Sequence, residues 1–204
     1  AFGDISLNEN KMNLEEINNI IKKDCKLISF CQDDFKNNLF GYEYSNMWAH
    51  YGERHKGICI ELDKDEFLKE NSDIAIKKQL QTINYVAPKE YHFGEQKMLN
   101  INRITEIGKE RYLKEEFRHR NFNYLFCTKS IEWSYENECR LIHFSDKVTN
   151  EYCTISKSLR NVYLGIDFSP LYYSVLANII NDVDVYQLKY LDIRIVKGEL
   201  INSK

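Results

Sequence analysis

Apolar positions recur along this chain with two periods, and the switches between them mark its predicted elements. Leu14, Ile17, Ile20 and Ile21 fall at helical spacing behind Asn13, which with Glu16 resembles a helix cap, so a helix is predicted from about 13 to 23. "CKLISFCQ" (25–32) then reads as a strand and "DDFKNNLFGYEY" as a polar loop. A helix from Ser45 to about Glu53 sets Asn46, His50 and Glu53 on one side and Met47, Trp48 and Tyr51 beside another; Gly57 ends the segment or its following turn. "GICIELD" (57–63) is a strand, Asp63 opens a short helix, and "KKQLQTINYVA" (77–87) is a strand closed by Pro88.

From Glu95 to Asn121, Met98, Ile101, Ile104, Ile107, Tyr112 and Phe117 predict a long helix in two pieces around Gly108. Two strand-like runs follow, "YLFCTK" (124–129) and "ENECRLIHFS" (136–145), with "SIEWSY" between them. The last third adds strands "EYCTIS", "NVYLGI", "VDVYQLKYL" and "IRIVKG", and a helix opened by Ser169-Pro170 and running through Asn181. Many strands, some joined by short loops and others separated by helices, predict an α+β fold with a mixed, largely antiparallel sheet and flanking helices.

Composition narrows the class. With 204 residues, 43% hydrophobic and 29% charged, and a net charge of −3, the chain falls in the range of ordinary globular proteins and is expected to form one domain over 1–204. No apolar run approaches the roughly 18 residues of a membrane span, and the N-terminus lacks a secretory pattern, so a cytoplasmic location without membrane partners is expected. Six cysteines without a C-x-x-C pair fit free thiols in a reducing compartment. Near-neutral charge disfavours nucleic acid as a partner gripped by net electrostatics. "KERYLKEEFRHR" (109–120) is the strongest local candidate, and its alternating signs read as a solvated helix face or as a binding surface. The opening "AFGDISLNENKMN" reads as the tail of a preceding segment, so a missing N-terminal segment is expected. Oligomeric state is not set by anything in the sequence.

Two stretches concentrate chemistry. "NMWAHYGERHKGICIEL" (46–62) holds Trp48, His50, Tyr51 and His55, in a chain with five histidines and two tryptophans. "TKSIEWSYENECRLIHF" (128–144) holds Glu136, Glu138 and Arg140, which on a strand would share one face. Such a row is either a structural ion pair between Arg140 and one glutamate, or a site. In a site, Arg140 would orient one carboxylate while the other contacts a ribose hydroxyl, acts as a base or stabilises a developing cation. Trp48, Tyr51 and Trp133 could stack on a base or nicotinamide ring, or fill the core. His50 and His55, five residues apart, do not share a helix face, and no H-E-x-x-H occurs, so no metal ligands are assigned. Neither a dinucleotide-binding glycine motif, a phosphate loop nor a serine elbow is present.

Together "MWAHYGERHKGICIELD", "INYV", "FCTKSIEWSYENECRLI" and "VYLGID" resemble, in order and spacing, a bacterial family known as domain of unknown function 2971, from about Asn46 to Ile166. The signatures are W-x-H-Y-x-x-x-H-x-G and K-S-x-x-W-x-Y-E-x-E-x-R. The resemblance implies positions rather than a reaction: Trp48, His50, Tyr51, His55, Gly57, Lys129, Trp133, Glu136, Glu138 and Arg140. It also implies an N-terminal segment with strands and an N-D-P-F-like motif, Ala1 to Asp4 being the remnant just after that motif.

A looser similarity to the ADP-ribosyltransferase superfamily implies chemistry. Glu138 would hold the nicotinamide ribose, Glu136 would address the acceptor, and His50 or Tyr51 would hold the nicotinamide. The resulting expectation is an NAD- or nucleotide-directed enzyme or effector, with catalytic Glu138, Glu136, His50, Tyr51 and Arg140 and ligand-binding Trp48, His55, Lys129 and Trp133. NAD is then a candidate substrate and a small-molecule nucleotide the candidate partner. The alternatives are a non-catalytic nucleotide- or peptide-binding module and a metal-dependent nuclease.

Overall fold

The computed structural model describes residues 13–74, 80–88, 98–180 and 182–201. The expected remnant at Ala1 to Asp4, the first residues of the strand at 77–87, the start of the helix at Glu95 and the helix end at Asn181 lie outside them.

Polar side chains start the first helices where the pattern places them. Asn13 accepts from the Glu15 amide at 2.9 Å to begin α1 (Leu14–Lys22). Asp63 accepts from the Asp65 and Glu66 amides at 3.1 and 3.0 Å to begin α3 (Lys64–Glu70). Between them lie β1 (Cys25–Cys31), a 3-10 turn at Gly41–Glu43, α2 (Ser45–Tyr51) and β2 (Ile58–Leu62). The short strands β3 (Gln81–Thr82) and β4 (Asn84–Val86) follow.

Gly108, at φ 88°, divides α4 (Ile101–Ile107) from α5 (Lys109–Arg111), as the two-piece expectation requires. The chain then runs through a π-helical stretch, Tyr112–Phe117, into α6 (Arg118–Arg120). Within this segment Glu110 pairs with Lys114 at 3.1 Å and Arg111 with Glu115 at 2.9 Å, while Tyr112, Leu113 and Phe117 turn into a core with Ile21, Phe126 and Ile142.

The run "YLFCTK" is not a strand throughout. α7 (Phe122–Phe126) holds its first part, with Phe122 and Phe126 packed 5.6 Å apart, and β5 (Thr128–Ser130) begins only beyond Cys127. A short apolar run does not separate helix from strand by period. A 3-10 turn at Ile131–Glu136 leads to β6 (Glu138–Phe144), so Glu136 sits ahead of the strand and not on it. "EYCTIS" forms no strand either, because Asn71 takes its backbone groups: Asn71 Nδ2 donates to the Thr154 carbonyl and the Thr154 amide donates to Asn71 Oδ1, both at 2.8 Å. The chain ends with β7 (Leu159–Leu164), a 3-10 turn at Pro170–Tyr172, α8 (Tyr173–Ile179), β8 (Asp184–Leu191) and β9 (Arg194–Leu200).

The fold is α+β, and among the described residues its strand pairing, largely antiparallel, is divided among three sheets. One has the order β1-β6-β3 and is antiparallel throughout. A second, β2-β7-β8-β9, is antiparallel except between β7 and β8. A third is the parallel pair β4-β5, which sets Tyr85 opposite Lys129. All six cysteines are free thiols. No helix of the described residues is long and apolar enough to cross a membrane.

After α2 the chain turns through three consecutive residues with positive φ, Glu53, Arg54 and His55. The turn is held against the end of β7, where the Gly165 amide donates to the Gly57 carbonyl at 3.0 Å. A Cβ on Gly165 would lie 2.2 Å from the His55 carbonyl oxygen and 2.5 Å from its carbon. Gly165→Ala is therefore expected to lower the free energy of unfolding by about 2–3 kcal/mol. Urea denaturation checks this, and an unshifted midpoint would contradict the close approach.

Candidate functional site

Trp48 fixes the orientation of α2. Its ring is 3% exposed among Tyr163, Leu188 and Ile195, and its indole N–H donates to the Tyr42 carbonyl at 2.7 Å. With Trp48 facing inward, His50 and Tyr51 project outward, and the Tyr51 hydroxyl donates to Glu136 Oε1 at 2.9 Å across 85 residues of sequence. The two signatures meet at this bond.

Beneath Tyr51 lies a chain of alternating charges. Lys129 on β5 donates through Nζ to Glu136 Oε2 and, at 3.3 Å, to Glu138 Oε2. Arg140 on β6 grips Glu138 with both arms of its fork, Nε to Oε1 at 2.6 Å and Nη2 to Oε2 at 3.1 Å. Its remaining Nη1 donates to the Phe126 carbonyl at 2.6 Å, capping the end of α7. Both carboxylates are buried, Glu136 at 3% and Glu138 at 5% exposure. Buried charges survive only with partners, and here two anions face two cations.

Asn137 makes this geometry. It is left-handed at φ 41°, and its side chain donates to the Gln32 carbonyl at 2.9 Å. The turn lets Glu136, which precedes the strand, and Glu138, which begins it, converge on one ammonium. Tyr85 supports the same corner, its hydroxyl accepting from the Glu138 amide at 2.8 Å.

Electrostatics follow from these contacts. Burial raises the Glu138 pKa, but the bonds from Arg140 and Ser29 and the charges of Arg140 and Lys129 outweigh it and hold the carboxyl below its ordinary value. Burial works against the Lys129 charge as well, and Glu136 and Glu138 overcome it, so its pKa is raised. The bond to Glu136, together with burial, raises Tyr51.

Above the charges lies an aromatic rim. The His50 ring lies 6.1 Å from Trp133, 6.2 Å from Tyr135 and 6.3 Å from Tyr51, and Lys129 Nζ sits 4.9 Å over the Trp133 ring. Tyr51 is 62% and Trp133 37% exposed. The structure thus brings His50, Tyr51, Lys129, Trp133, Glu136, Glu138 and Arg140 into one group. It places Trp48 and His55 elsewhere: Trp48 is core, and His55 stacks on it at 5.8 Å with its Nε2 3.4 Å from the Tyr190 hydroxyl.

Tyr85, Tyr135 and Asn137 join the group without having been singled out from the sequence. Tyr135 lies inside the second signature and Tyr85 inside "INYV", but nothing in their spacing discloses that one meets His50 and the other the Glu138 amide. Among the described residues no three His, Cys, Asp or Glu side chains gather as a metal site.

Residues 47–141 match a family described as "Protein of unknown function (DUF2971)". The matched stretch contains every residue of the group, and it supports the family resemblance carried by the two signatures. No curated protein and no solved structure matches the chain.

The charge chain has a measurable stability signature. Because the folded Glu138 carboxyl is the stronger acid, its contribution is complete above the ordinary glutamate range, about 4.3, and is lost as pH falls through its lower folded value. Unfolding free energy is expected to fall below about pH 5, with a shallower fall in Glu138→Gln. At neutral pH that variant leaves Arg140 and Lys129 undercompensated and is expected to be destabilised by about 2–4 kcal/mol. Urea titrations from pH 7 to 3 read both effects, and identical slopes in the two proteins would contradict the ion-pair assignment.

Proposed function

We propose that this protein recognises a nucleotide on the rim of His50, Tyr51 and Trp133, with NAD as the candidate substrate and Glu136 as the carboxylate that meets it. One observation carries the reading: Tyr51 and Lys129 converge on Glu136 beneath exposed aromatic rings. A planar base or nicotinamide gains from stacking on such rings, by about 1–3 kcal/mol per stacked base.

The chemistry this reading supports is glycosyl transfer. The bond between ribose C1′ and the nicotinamide nitrogen breaks, nicotinamide leaves, and the acceptor adds to C1′ with loss of its proton. A carboxylate beside the ribose stabilises the positive charge that develops. Likeness to the ADP-ribosyltransferases gives that role to Glu138. The hydrogen bonds favour Glu136, since Arg140 spans both Glu138 oxygens, whereas a turn of the exposed Tyr51 side chain would uncover Glu136 to the rim. Binding without turnover is the second reading, favoured because both Glu136 oxygens are engaged and the group is buried.

Titration with NAD is expected to quench Trp133 fluorescence, and Trp133→Ala to weaken binding, followed by calorimetry, about tenfold. Mass analysis is expected to find nicotinamide released by the parent and not by Glu136→Gln at equal fold content. Saturable binding with no release would select the binding module, and absence of binding by NAD, ADP and ATP would overturn the nucleotide reading.

A further inference from the structure

β7, α8 and β8 form a parallel crossover, and α8 covers only the strands it joins. Tyr173, Leu176 and Ile180 turn inward onto Val162 and Leu164 of β7 and Val185 of β8. β2, the edge strand beside β7, is left partly bare on the same face. Ile58 is paired with Leu164 and Ile60 with Val162, so antiparallel register points both isoleucines to the side that α8 occupies. They are 41% and 46% exposed.

The helix carries a second apolar stripe. Tyr172, Val175 and Ile179 each stand one residue ahead of the inward three, so they lie about 100° round the helix from them. In a right-handed crossover that flank faces β2. The three are 59%, 52% and 72% exposed, and Leu171 in the preceding turn is 85% exposed. Helix flank and strand therefore frame one open corner, apolar on both walls.

Area and charge together identify what fills it. At these exposures the six side chains leave an apolar surface on the order of 600 Å2, at the top of the range that a monomer leaves contiguous and near the ~800 Å2 that each partner gives to a stable interface. From Ser169 to Asn181 the chain has no Asp, Glu, Lys, Arg or His, whereas α1, α3 and α4 each carry acidic and basic side chains. Along its α8 wall the corner has no charge to offer a partner, and it fits an uncharged helix, about 10 Å across, with an apolar outer side. α8 is itself such a helix. We propose that this corner is a dimerisation surface: α8 of a second copy lies against Ile58, Ile60 and the Tyr172–Val175–Ile179 flank, and the two copies exchange the same contact about a two-fold axis. No like charges meet along the paired helices.

Sedimentation equilibrium at micromolar concentration is expected to give twice the mass of one chain. Val175→Glu and Ile60→Lys, one on each wall of the corner, are each expected to weaken self-association about tenfold or more. Both positions are exposed, so circular dichroism is expected to match the parent. An equimolar mixture of the two variants is expected to recover the dimer, because one of its two contacts then sets glutamate against lysine and the other is unaltered. A parent that stays monomeric, or a dimer that both folded variants leave intact, would overturn the proposal. A monomeric parent that sediments with phosphatidylcholine vesicles would also overturn it, by assigning the corner to a lipid surface.

Discussion

Two carboxylates lie almost without water contact in this structure, and their need for partners organises everything around them. Lys129 satisfies both, Arg140 completes Glu138, and Tyr51 completes Glu136. These side chains come from four elements, so the charge chain ties α2, β5, the turn before β6 and β6 itself into one corner. It reaches further through Arg140, which also caps the carbonyl end of α7. A neutral total of two anions and two cations lets the group sit beside apolar core, where any member left alone would be costly.

The aromatic rim depends on that corner for its shape. Trp133 and Tyr135 stand on the 3-10 turn that delivers Glu136, and His50 and Tyr51 stand on the helix that Tyr51 ties to it. Burying the charges therefore positions the exposed rings. The first signature divides its work accordingly: Trp48 and His55 stack on each other on the core side, while His50 and Tyr51 face outward. The left-handed turn from Glu53 to His55 is a strained way to leave a helix, and it is kept where β7 closes against it with a glycine.

Much of the fold could be read from the chain. Where period, cap and turn agreed, as at α1, α3, the break at Gly108 and β2, the elements formed as expected. Where the signal was a short run without a decisive period, neighbours settled it. The first half of "YLFCTK" became helix, with Phe122 and Phe126 packed one turn apart, and "EYCTIS" lost its ladder to the side chain of Asn71. Glu136, Glu138 and Arg140 were recognisable as a group, but a strand spacing placed Glu136 on β6, and the positive φ of Asn137 moved it into the preceding turn.

The sequence by itself determined the α+β class, most of the elements and the two stretches that carry reactive side chains, because these follow from local periodicity and residue type. Which carboxylate meets which cation was decided only by tertiary structure. A strand pattern offers Arg140 to either glutamate; the folded chain gives Arg140 to Glu138 and shares Lys129 between both. That choice rests on distances between residues far apart in the chain, and on burial that makes an unpaired charge intolerable. Neither quantity is written in local sequence, and both became visible once α2 and β6 were packed into the same corner.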